Sequence, residues 1–442
     1  MKTLITTANI VNENKRFIGA VLIEDNIISK VITSGNLPFA DKIIDATGLL
    51  LLPGAIDDQV HFREPGLTHK GEIYTEAKAA VAGGITSYME MPNTKPQAVT
   101  IDLLEEKYQR ANEVSLANYS FYIGATNDNI AEVLKADPKT VCGIKCFMGS
   151  STGNMLVEGT GLETLFEHAH MLVATHCEEE SIVKANSEAY FKKYGDDVPI
   201  QCHPEIRSSA ACFASSSKAV ALAKKYGTRL HILHLTTAIE MDLFEIGDPA
   251  EKQITNEVCV HHLWFDDRDY EKSGTKIKWN PAVKSEADKL ALRAALNSGK
   301  IDVVATDHAP HTWDEKQNTY FKAPSGGPLV QHALVAMLEM ANQGIFTYEK
   351  VVEKMCHTPA QLFNIANRGY IREGYKADIV LVNPNKTWTV SPENVYYKCG
   401  WSPFDGQQFM HQVTHTLVNG HLVFENGKFD ESKKGERLLF NR

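Results

Sequence analysis

The chain has 442 residues, of which 43% are hydrophobic and 23% are charged, and its formal net charge is -10. This composition predicts a globular protein with one large core and a smaller second domain. Binding to nucleic acid depends on basic patches, so the net negative charge excludes that partner. The one Lys/Arg-rich stretch, residues 433–437, is predicted to be a solvated end.

No apolar run is long enough to span a bilayer, and the first residues lack the apolar segment of a secretion signal. The eight cysteines form no C-x-x-C pair, which in a chain of this length favours free thiols. The sequence therefore predicts a cytoplasmic protein with no membrane partner.

Both ends of the chain are predicted to be rich in short strands. The candidate strands are residues 19–24, 42–46, 377–382, 413–420 and 421–424. The dipeptides Asn419-Gly420 and Asn426-Gly427 are typical of hairpin turns. We expect residues 1–52 and 366–442 to form one small β-sandwich-like domain.

Residues 53–365 alternate short apolar runs with helix-like stretches. The apolar runs are 84–91, 141–145, 171–176, 229–234 and 301–307, and the clearest predicted helices are 210–225 and 289–296. Alternation of this kind over about 300 residues predicts an α/β fold, a TIM (β/α)8 barrel.

Polar residues suited to metal binding or proton transfer lie at or just after the ends of these runs. They are His61, Asn93, Lys145, His176, His234 and Asp307. The carboxyl ends of barrel strands meet on one face, so these side chains are expected to meet in space. Imidazole and carboxylate are the usual ligands of a catalytic zinc.

Lys145 is the unusual member of this set, because an ammonium group cannot bind a cation. A buried, neutral amine could react with carbon dioxide, and the resulting carbamate could bridge two metals. A buried lysine in an ion pair is the other interpretation.

At these residues the chain resembles the dihydroorotases, cyclic amidohydrolases of pyrimidine synthesis. The matching stretches are 53–66 (PGAIDDQVHFREPG), 91–94 (MPNT), 143–145 (GIK), 175–177 (THC), 231–234 (HILH), 278–281 (KWNP), 305–311 (ATDHAPH), 378–381 (DIVL) and 402–404 (SPF). They span nearly the whole chain in the family's order, which makes the resemblance specific.

The resemblance implies a zinc enzyme that interconverts N-carbamoyl-L-aspartate and L-dihydroorotate. His176, His234 and carbamylated Lys145 would hold one metal, and His61, Asp307 and the same carbamate the other, with a hydroxide between them. Asp307 would accept the proton of the attacking hydroxide and pass it to the departing ring nitrogen.

The resemblance also implies the residues that bind the substrate. Arg63 would pair with the ring carboxylate, which Asn93 and His311 would also contact. Asn280 and the 323–326 loop, with Ser325 and Gly326, resemble the family's contacts to the ring edge.

The chain departs from the family at one metal ligand. The family motif is H-x-H, and here it is Gln59-Val60-His61. An amide oxygen is a weaker zinc ligand than imidazole, so the metal at His61 and Asp307 is expected to bind weakly or be absent.

Three interpretations follow from this change. The favoured one is an active dihydroorotase with one firm zinc. The others are a non-catalytic subunit that partners aspartate transcarbamoylase, and a related cyclic amidohydrolase similar to allantoinase or hydantoinase. A homodimer is a further implication of the resemblance.

Overall fold

The N-terminal segment of the chain forms strands of a large sheet. The computed structural model describes residues 1–149 and 155–442. The first strands are β1 (Lys2–Asn12), β2 (Lys15–Glu24), β3 (Ile27–Ile32), β4 (Lys42–Asp45) and β5 (Leu50–Pro53). Strand β1 pairs antiparallel with β2 and parallel with β4 and β5.

The middle of the chain forms a closed ring of parallel strands. The segments are β6 (Ala55–Val60), β7 (Ile85–Glu90), β8 (Asn118–Phe121), β9 (Ile123–Gly124), β10 (Ile144–Phe147), β11 (Val173–His176), β12 (Leu230–Ile232), β13 (Ile254–Cys259) and β14 (Val303–Ala305). Only Tyr122 separates β8, which pairs with β7, from β9, which pairs with β10, so these two share one position of the ring.

The remaining pairs run in sequence order from β10 to β14. The parallel bridge between Val60 and His308 joins the last strand to the first. Nine segments with one shared position give eight strand positions, and the predicted (β/α)8 barrel is confirmed.

Helices surround this ring. They are α1 (Ile73–Ala82), α2 (Ile101–Val114), α3 (Ile130–Val133), α4 (Gly159–His168), α5 (Glu180–Tyr194), α6 (His203–Ile206), α7 (Ser209–Tyr226), α8 (Val260–Trp264), α9 (Tyr270–Ser273), α10 (Glu286–Ser298), α11 (Trp313–Lys316), α12 (Ala333–Asn342), α13 (Tyr348–Val352) and α14 (Thr358–Leu362). Short 3₁₀ turns lie at Ile200–Cys202, Ile239–Leu243, Asp267–Asp269, Gly274–Ile277 and Pro392–Asn394, and a π-helical turn lies at Glu353–His357.

The two helices predicted from sequence begin and end at local signals. Ser208 and Ser285 accept hydrogen bonds from the backbone of the first turn of α7 and α10. Gly227 and Gly299 end these helices in the left-handed conformation, which glycine adopts without steric cost.

The C-terminal segment returns to the first sheet. It contributes β15 (Ile379–Asn383), β18 (Gln412–Val418), β19 (His421–Glu425) and β20 (Lys428–Phe429), while β16 (Trp388–Thr389) and β17 (Gln408–Phe409) pair separately. The order of the nine-stranded sheet is β20-β19-β18-β15-β5-β1-β2-β3, with β4 beside β1. We propose that the chain divides into 1–52 with 366–442 and 53–365.

The C-terminal tail is not the solvated end that its charge indicated. The backbone of residues 436–438 hydrogen-bonds to Tyr119 of β8, and Leu438 and Phe440 are buried. The Arg437 guanidinium lies 3.4 Å from the centre of the Tyr108 ring and forms an ion pair with Glu105. The prediction for residues 433–437 rested on charge alone, whereas the buried apolar residues after 437 anchor this segment.

All eight cysteines are free thiols, as predicted. No helix in the described ranges is long and apolar enough to cross a bilayer.

Candidate active site

A pocket at the carboxyl ends of the barrel strands brings together most of the residues predicted from sequence. Its walls are Gln59, His61, Arg63, Asn93, Lys145, Phe147, His176, His234, Trp279, Asn280, Asp307, Ala309, Ser325 and Gly326. The five predicted metal ligands and five of the six predicted substrate contacts are among them. The sixth, His311, lies just behind Arg63.

Strand ends place the candidate ligands around this pocket. His61 directly follows β6 and His176 is the last residue of β11, whereas His234 and Asp307 lie two residues beyond β12 and β14. Both of the latter have positive φ angles, 42° and 48°. Such backbone conformations persist where the surroundings hold them, and the Glu257 carboxylate accepts a 3.0 Å hydrogen bond from the His234 backbone.

His176 and His234 face each other through ring nitrogens. His176 Nδ1 lies 3.0 Å from His234 Nε2, and burial lowers the pKa of both imidazoles below the ordinary value. Neutral rings whose nitrogens converge in this way are suited to bind one metal ion.

A carboxylate lies behind the first of these rings. Glu178 Oε2 is 3.1 Å from His176 Nε2, and Arg207 forms an ion pair with the same carboxylate. A proton on Nε2 directed at Glu178 leaves the Nδ1 lone pair facing the pocket. This is the carboxylate–histidine arrangement that commonly orients metal ligands. Neither Glu178 nor Arg207 was predicted from the sequence, where only the spacing His176-x-Glu178 indicates the former.

Lys145 is 1% exposed, and its Nζ lies 4.5 Å from the centre of the Phe147 ring. Burial lowers the pKa of this amine to about 8, although the carboxylates of Asp307 and Glu257 oppose the shift. Strand β10 continues to Phe147, so Lys145 lies inside the strand rather than at its end as predicted.

The second predicted metal position is built differently. His61 Nδ1 lies 2.8 Å from Asn93 Oδ1, and its Nε2 lies 3.2 Å from Asp307 Oδ1. With the ring proton on Nδ1, two acceptor atoms face each other, which suits a shared cation. The Gln59 amide, however, donates to the same Asp307 oxygen from 3.2 Å.

Arg63 brings a buried positive charge to the pocket. The side chain is 3% exposed, and burial lowers the pKa of its guanidinium to about 10. Nε donates to the Pro310 carbonyl at 3.0 Å. Within the described parts of the chain no carboxylate forms a salt bridge with Arg63, so it can receive an anion from outside.

His311 supports this arginine. His311 Nε2 lies 3.0 Å from the Ser325 carbonyl oxygen, and its Nδ1 lies 3.0 Å from Lys70 Nζ. The Arg63 guanidinium lies 3.1 Å from the same Nε2. Burial holds the pKa of His311 well below its ordinary value, so the ring is neutral.

The loop at 323–326 is anchored by two buried lysines that sequence analysis did not single out. Lys316 Nζ donates to the carbonyls of Pro324 and Gly326 at 2.9 and 2.7 Å, and Lys278 Nζ donates to the Tyr320 and Ala323 carbonyls. These bonds hold Ser325 and Gly326 at the pocket wall.

Asn280 and Gly326 contribute atoms that a ring substrate could use. Asn280 Oδ1 is buried and has no hydrogen-bond partner among the described residues. Gly326 has a φ of 123°, and a Cβ there would lie 2.6 Å from the Ala309 carbonyl. Only glycine fits this close approach.

Two further groups of potential ligands are buried near the pocket. Asp58, His231 and Glu257 form one group, in which His231 Nε2 lies 3.4 and 3.3 Å from the two carboxylates. Cys259, His261 and His262 form the other, with His261 stacked 4.2 Å from Trp279. The first group is internally paired and supports the His234 backbone through Glu257.

The described residues fit one metal well and a second less well. The neutral ring nitrogens His176 Nδ1 and His234 Nε2 converge in the pocket that Lys145 also lines. At His61 and Asp307, a Gln59 N–H group stands where the family motif has an imidazole lone pair.

Histidines and an aspartate at or just beyond the strand ends, with a buried lysine inside a neighbouring strand, form the kind of barrel pocket that metal-dependent hydrolases have. A model of the amidohydrolase family matches residues 50–423, and the chain belongs to that family.

Curated relatives and solved structures agree with this assignment. The chain is 33% identical over 422 residues to a dihydroorotase of Pyrococcus abyssi, with 95% of each chain covered. It is 31% identical over 411 residues to a dihydroorotase of Methanosphaera stadtmanae, covering 92% of this chain and 93% of that one. Among solved structures, L-hydantoinase (dihydropyrimidinase) of Arthrobacter aurescens is similar, with a TM-score of 0.92, 25% identity and 97% of each chain covered.

Proposed function

We propose that the chain is a dihydroorotase, which closes N-carbamoyl-L-aspartate to L-dihydroorotate and opens it again in pyrimidine synthesis. The observation that carries the proposal is the buried Arg63 guanidinium, which lines the same pocket as the candidate metal ligands and has no carboxylate partner of its own in the described residues. An arginine in this state favours a substrate with a carboxylate. The names of the curated relatives support the same reaction.

Zinc is the proposed metal. His176, His234 and Lys145, as its carbamate, would hold the firm ion, and His61 with Asp307 would offer a weaker position. The carbamate forms when the neutral amine attacks carbon dioxide, which makes an N–C bond and releases one proton. Zinc in this site would lower the pKa of a water molecule and polarise the substrate carbonyl.

Asp307 is the proposed proton carrier. Its Oδ1 is directed at the pocket between His61 and Gln59. In ring opening the carboxylate accepts a proton from the attacking water and then gives it to the departing ring nitrogen. Ring closure reverses both transfers.

Substrate binding follows from the walls of the pocket. Arg63 pairs with the ring carboxylate, which Asn93 also contacts. His311 Nε2 lies 3.1 Å from the Arg63 guanidinium and 3.0 Å from the Ser325 carbonyl, and so fixes their separation. Asn280 Oδ1 can accept a ring N–H, which would satisfy that buried oxygen. The backbone at Ser325 and Gly326 meets the other edge of the ring.

A hydantoinase or dihydropyrimidinase activity is the second candidate, favoured by the close structural similarity to the Arthrobacter enzyme. The substrates of the two candidates differ at the carboxylate. The homodimer and the association with aspartate transcarbamoylase, catalytic or not, stay predictions.

The two candidates are separated by a matched pair of substrates, since dihydrouracil is dihydroorotate without its carboxylate. We expect the zinc-loaded protein to open dihydroorotate at least about 100-fold faster than dihydrouracil, as measured by kcat/KM, because a buried unpaired arginine penalises the neutral ring. Arg63→Met should remove most of this preference. Faster opening of dihydrouracil would assign the second candidate.

A further inference from the structure

Gln59 occupies a fixed place beside the proposed proton carrier. It lies on β6, is 1% exposed, and lines the pocket. Its Nε2 donates to Asp307 Oδ1 at 3.2 Å, and its Oε1 lies 3.9 Å from the Cys259 sulfur. The side chain thus connects a residue at the end of β13 with one just after β14.

The chemistry of its neighbours determines which way the amide points. An amide oxygen turned toward Asp307 would face a carboxylate oxygen, and two acceptors repel each other. Cys259 is fully buried, and burial raises the pKa of its thiol well above the ordinary value, so it remains an S–H donor toward Gln59 Oε1. Both contacts therefore favour the N–H group on the side of Asp307.

This orientation disfavours a cation at the same oxygen. Asp307 Oδ1 is approached by His61 Nε2 and Gln59 Nε2, each at 3.2 Å. A second imidazole in place of Gln59 would add a lone pair for a metal, whereas the amide adds a partial positive charge. The hydrogen bond from Gln59 still holds the Asp307 carboxylate in place, as a bound metal would also do.

We infer that Gln59, oriented by Cys259, is a positioning residue that holds Asp307 by a hydrogen bond in place of a metal ligand, so that the chain works with one metal. The metal count does not depend on the substrate, whereas the catalytic part of this inference rests on the proposed dihydroorotase activity.

The metal count tests the first part. Protein saturated with zinc in bicarbonate buffer and then passed through a desalting column should retain about one zinc per chain, and Gln59→His about two. Gln408→His, which adds a histidine at an exposed position, should stay at the wild-type value. Gln59→Glu, which adds a carboxylate ligand, provides a second variant if Gln59→His does not fold.

Two outcomes would overturn the inference. One is a wild-type protein that retains two zinc ions. The other is a folded Gln59→His or Gln59→Glu variant that still retains one. Neither outcome depends on turnover, so each is distinguishable from a failure of the proposed function.

Steady-state kinetics test the positioning role. Cys259→Ala should lower kcat about tenfold and leave KM within about twofold, because a misplaced proton carrier slows the reaction without weakening substrate binding. Cys259→Ser, which keeps a donor, should recover most of the loss. Cys356→Ala is the matched control, since that thiol is equally buried and contacts the Pro53 carbonyl away from the pocket. Equal effects of the Cys259→Ala and Cys259→Ser changes, or a change in KM alone, would contradict the positioning role.

Discussion

Glu178 illustrates how one buried carboxylate can set the chemistry of a neighbouring ring. Burial opposes ionisation of Glu178, but the charge of Arg207 and the hydrogen bond with His176 hold its pKa well below the ordinary value. This negative charge, 3.1 Å from His176 Nε2, favours the ring proton on Nε2 and leaves Nδ1 able to act as a ligand. Arg207 lies 29 residues beyond Glu178 in the chain, which explains why the sequence did not predict the ion pair between them.

The substitution Glu178→Gln should weaken zinc binding about 10- to 100-fold, as expected when the partner of a ligating histidine is lost. Competition against a chelator of known affinity measures the change. Glu188→Gln, on the exposed face of α5, is the control. Equal zinc affinities of Glu178→Gln and the wild type would show that the carboxylate does not orient the ligand.

Carbamylation of Lys145 should depend on pH in a predictable direction. Only the neutral amine reacts with carbon dioxide, and burial lowers the pKa of Lys145 to about 8. At pH 7 such an amine is roughly 10% neutral, against roughly 0.03% for an ordinary lysine. The neutral fraction rises as the pH increases.

In metal-free protein with ¹³C-bicarbonate, the carbamate NMR signal should therefore grow about 25-fold between pH 6.5 and 8.5, in step with the neutral amine. Lys145→Gln corrects for carbamates at other amines. The expectation fails if the wild type and Lys145→Gln give the same signal over this range.

At the scale of elements, the 323–326 loop is held by a lysine of the neighbouring helix α11. Lys316, at the end of α11, is fully buried and donates to two carbonyls of the loop and to Lys278 O. Burial lowers the pKa of its amine well below the ordinary value. The loop thus keeps its shape through donors that belong to a neighbouring element.

Lys316→Met should raise KM for dihydroorotate about tenfold with kcat changed less than about threefold, because carbonyls left without donors move the walls that contact the ring. Lys322→Met, an exposed lysine of the same segment, should behave as wild type. Unchanged KM in a folded Lys316→Met variant would contradict the role given to α11.

Several elements followed from local sequence, and others did not. The Asn-Gly turns and the serine-capped, glycine-ended helices α7 and α10 were predicted because their signals lie within a few residues. Strands β8 and β13 escaped prediction because polar side chains interrupt their apolar pattern. Asn118 and Glu257 are fully buried there, bonded to partners such as the Thr86 carbonyl and the His234 backbone.

The candidate site was partly predictable because some of its signals also lie within a few residues along the chain. Ligand-type residues at strand ends mark the face of a barrel, so His61, His176, His234 and Asp307 could be grouped from sequence. The supports behind them, including Glu178, Arg207 and Cys259, could not, because each acts through a partner that only the fold brings near.

At the scale of the whole molecule, the two ends of the chain pack against later or earlier elements that are distant in sequence. Residues near the N-terminus share a sheet with β15 and β18, and the last residues pack beside β8. Leu438 is fully buried in this packing, whereas its neighbour Leu439 is 56% exposed.

This pair of leucines tests the contribution of the tail. Leu438→Ala should lower the free energy of unfolding by about 2–5 kcal/mol, the usual effect of emptying a buried leucine site. Leu439→Ala should change it by less than about 0.5 kcal/mol. Urea unfolding of both variants gives the comparison, and equal effects would mean that the tail does not contribute to the core.

The most direct test of the proposed function is the rate of dihydroorotate ring opening by the zinc-supplemented protein, followed by loss of ultraviolet absorbance. We expect turnover that a chelator abolishes and that Asp307→Asn reduces by at least about 1,000-fold while the circular dichroism spectrum is retained. No turnover by protein that holds zinc and a carbamate, or full activity of Asp307→Asn, would contradict it.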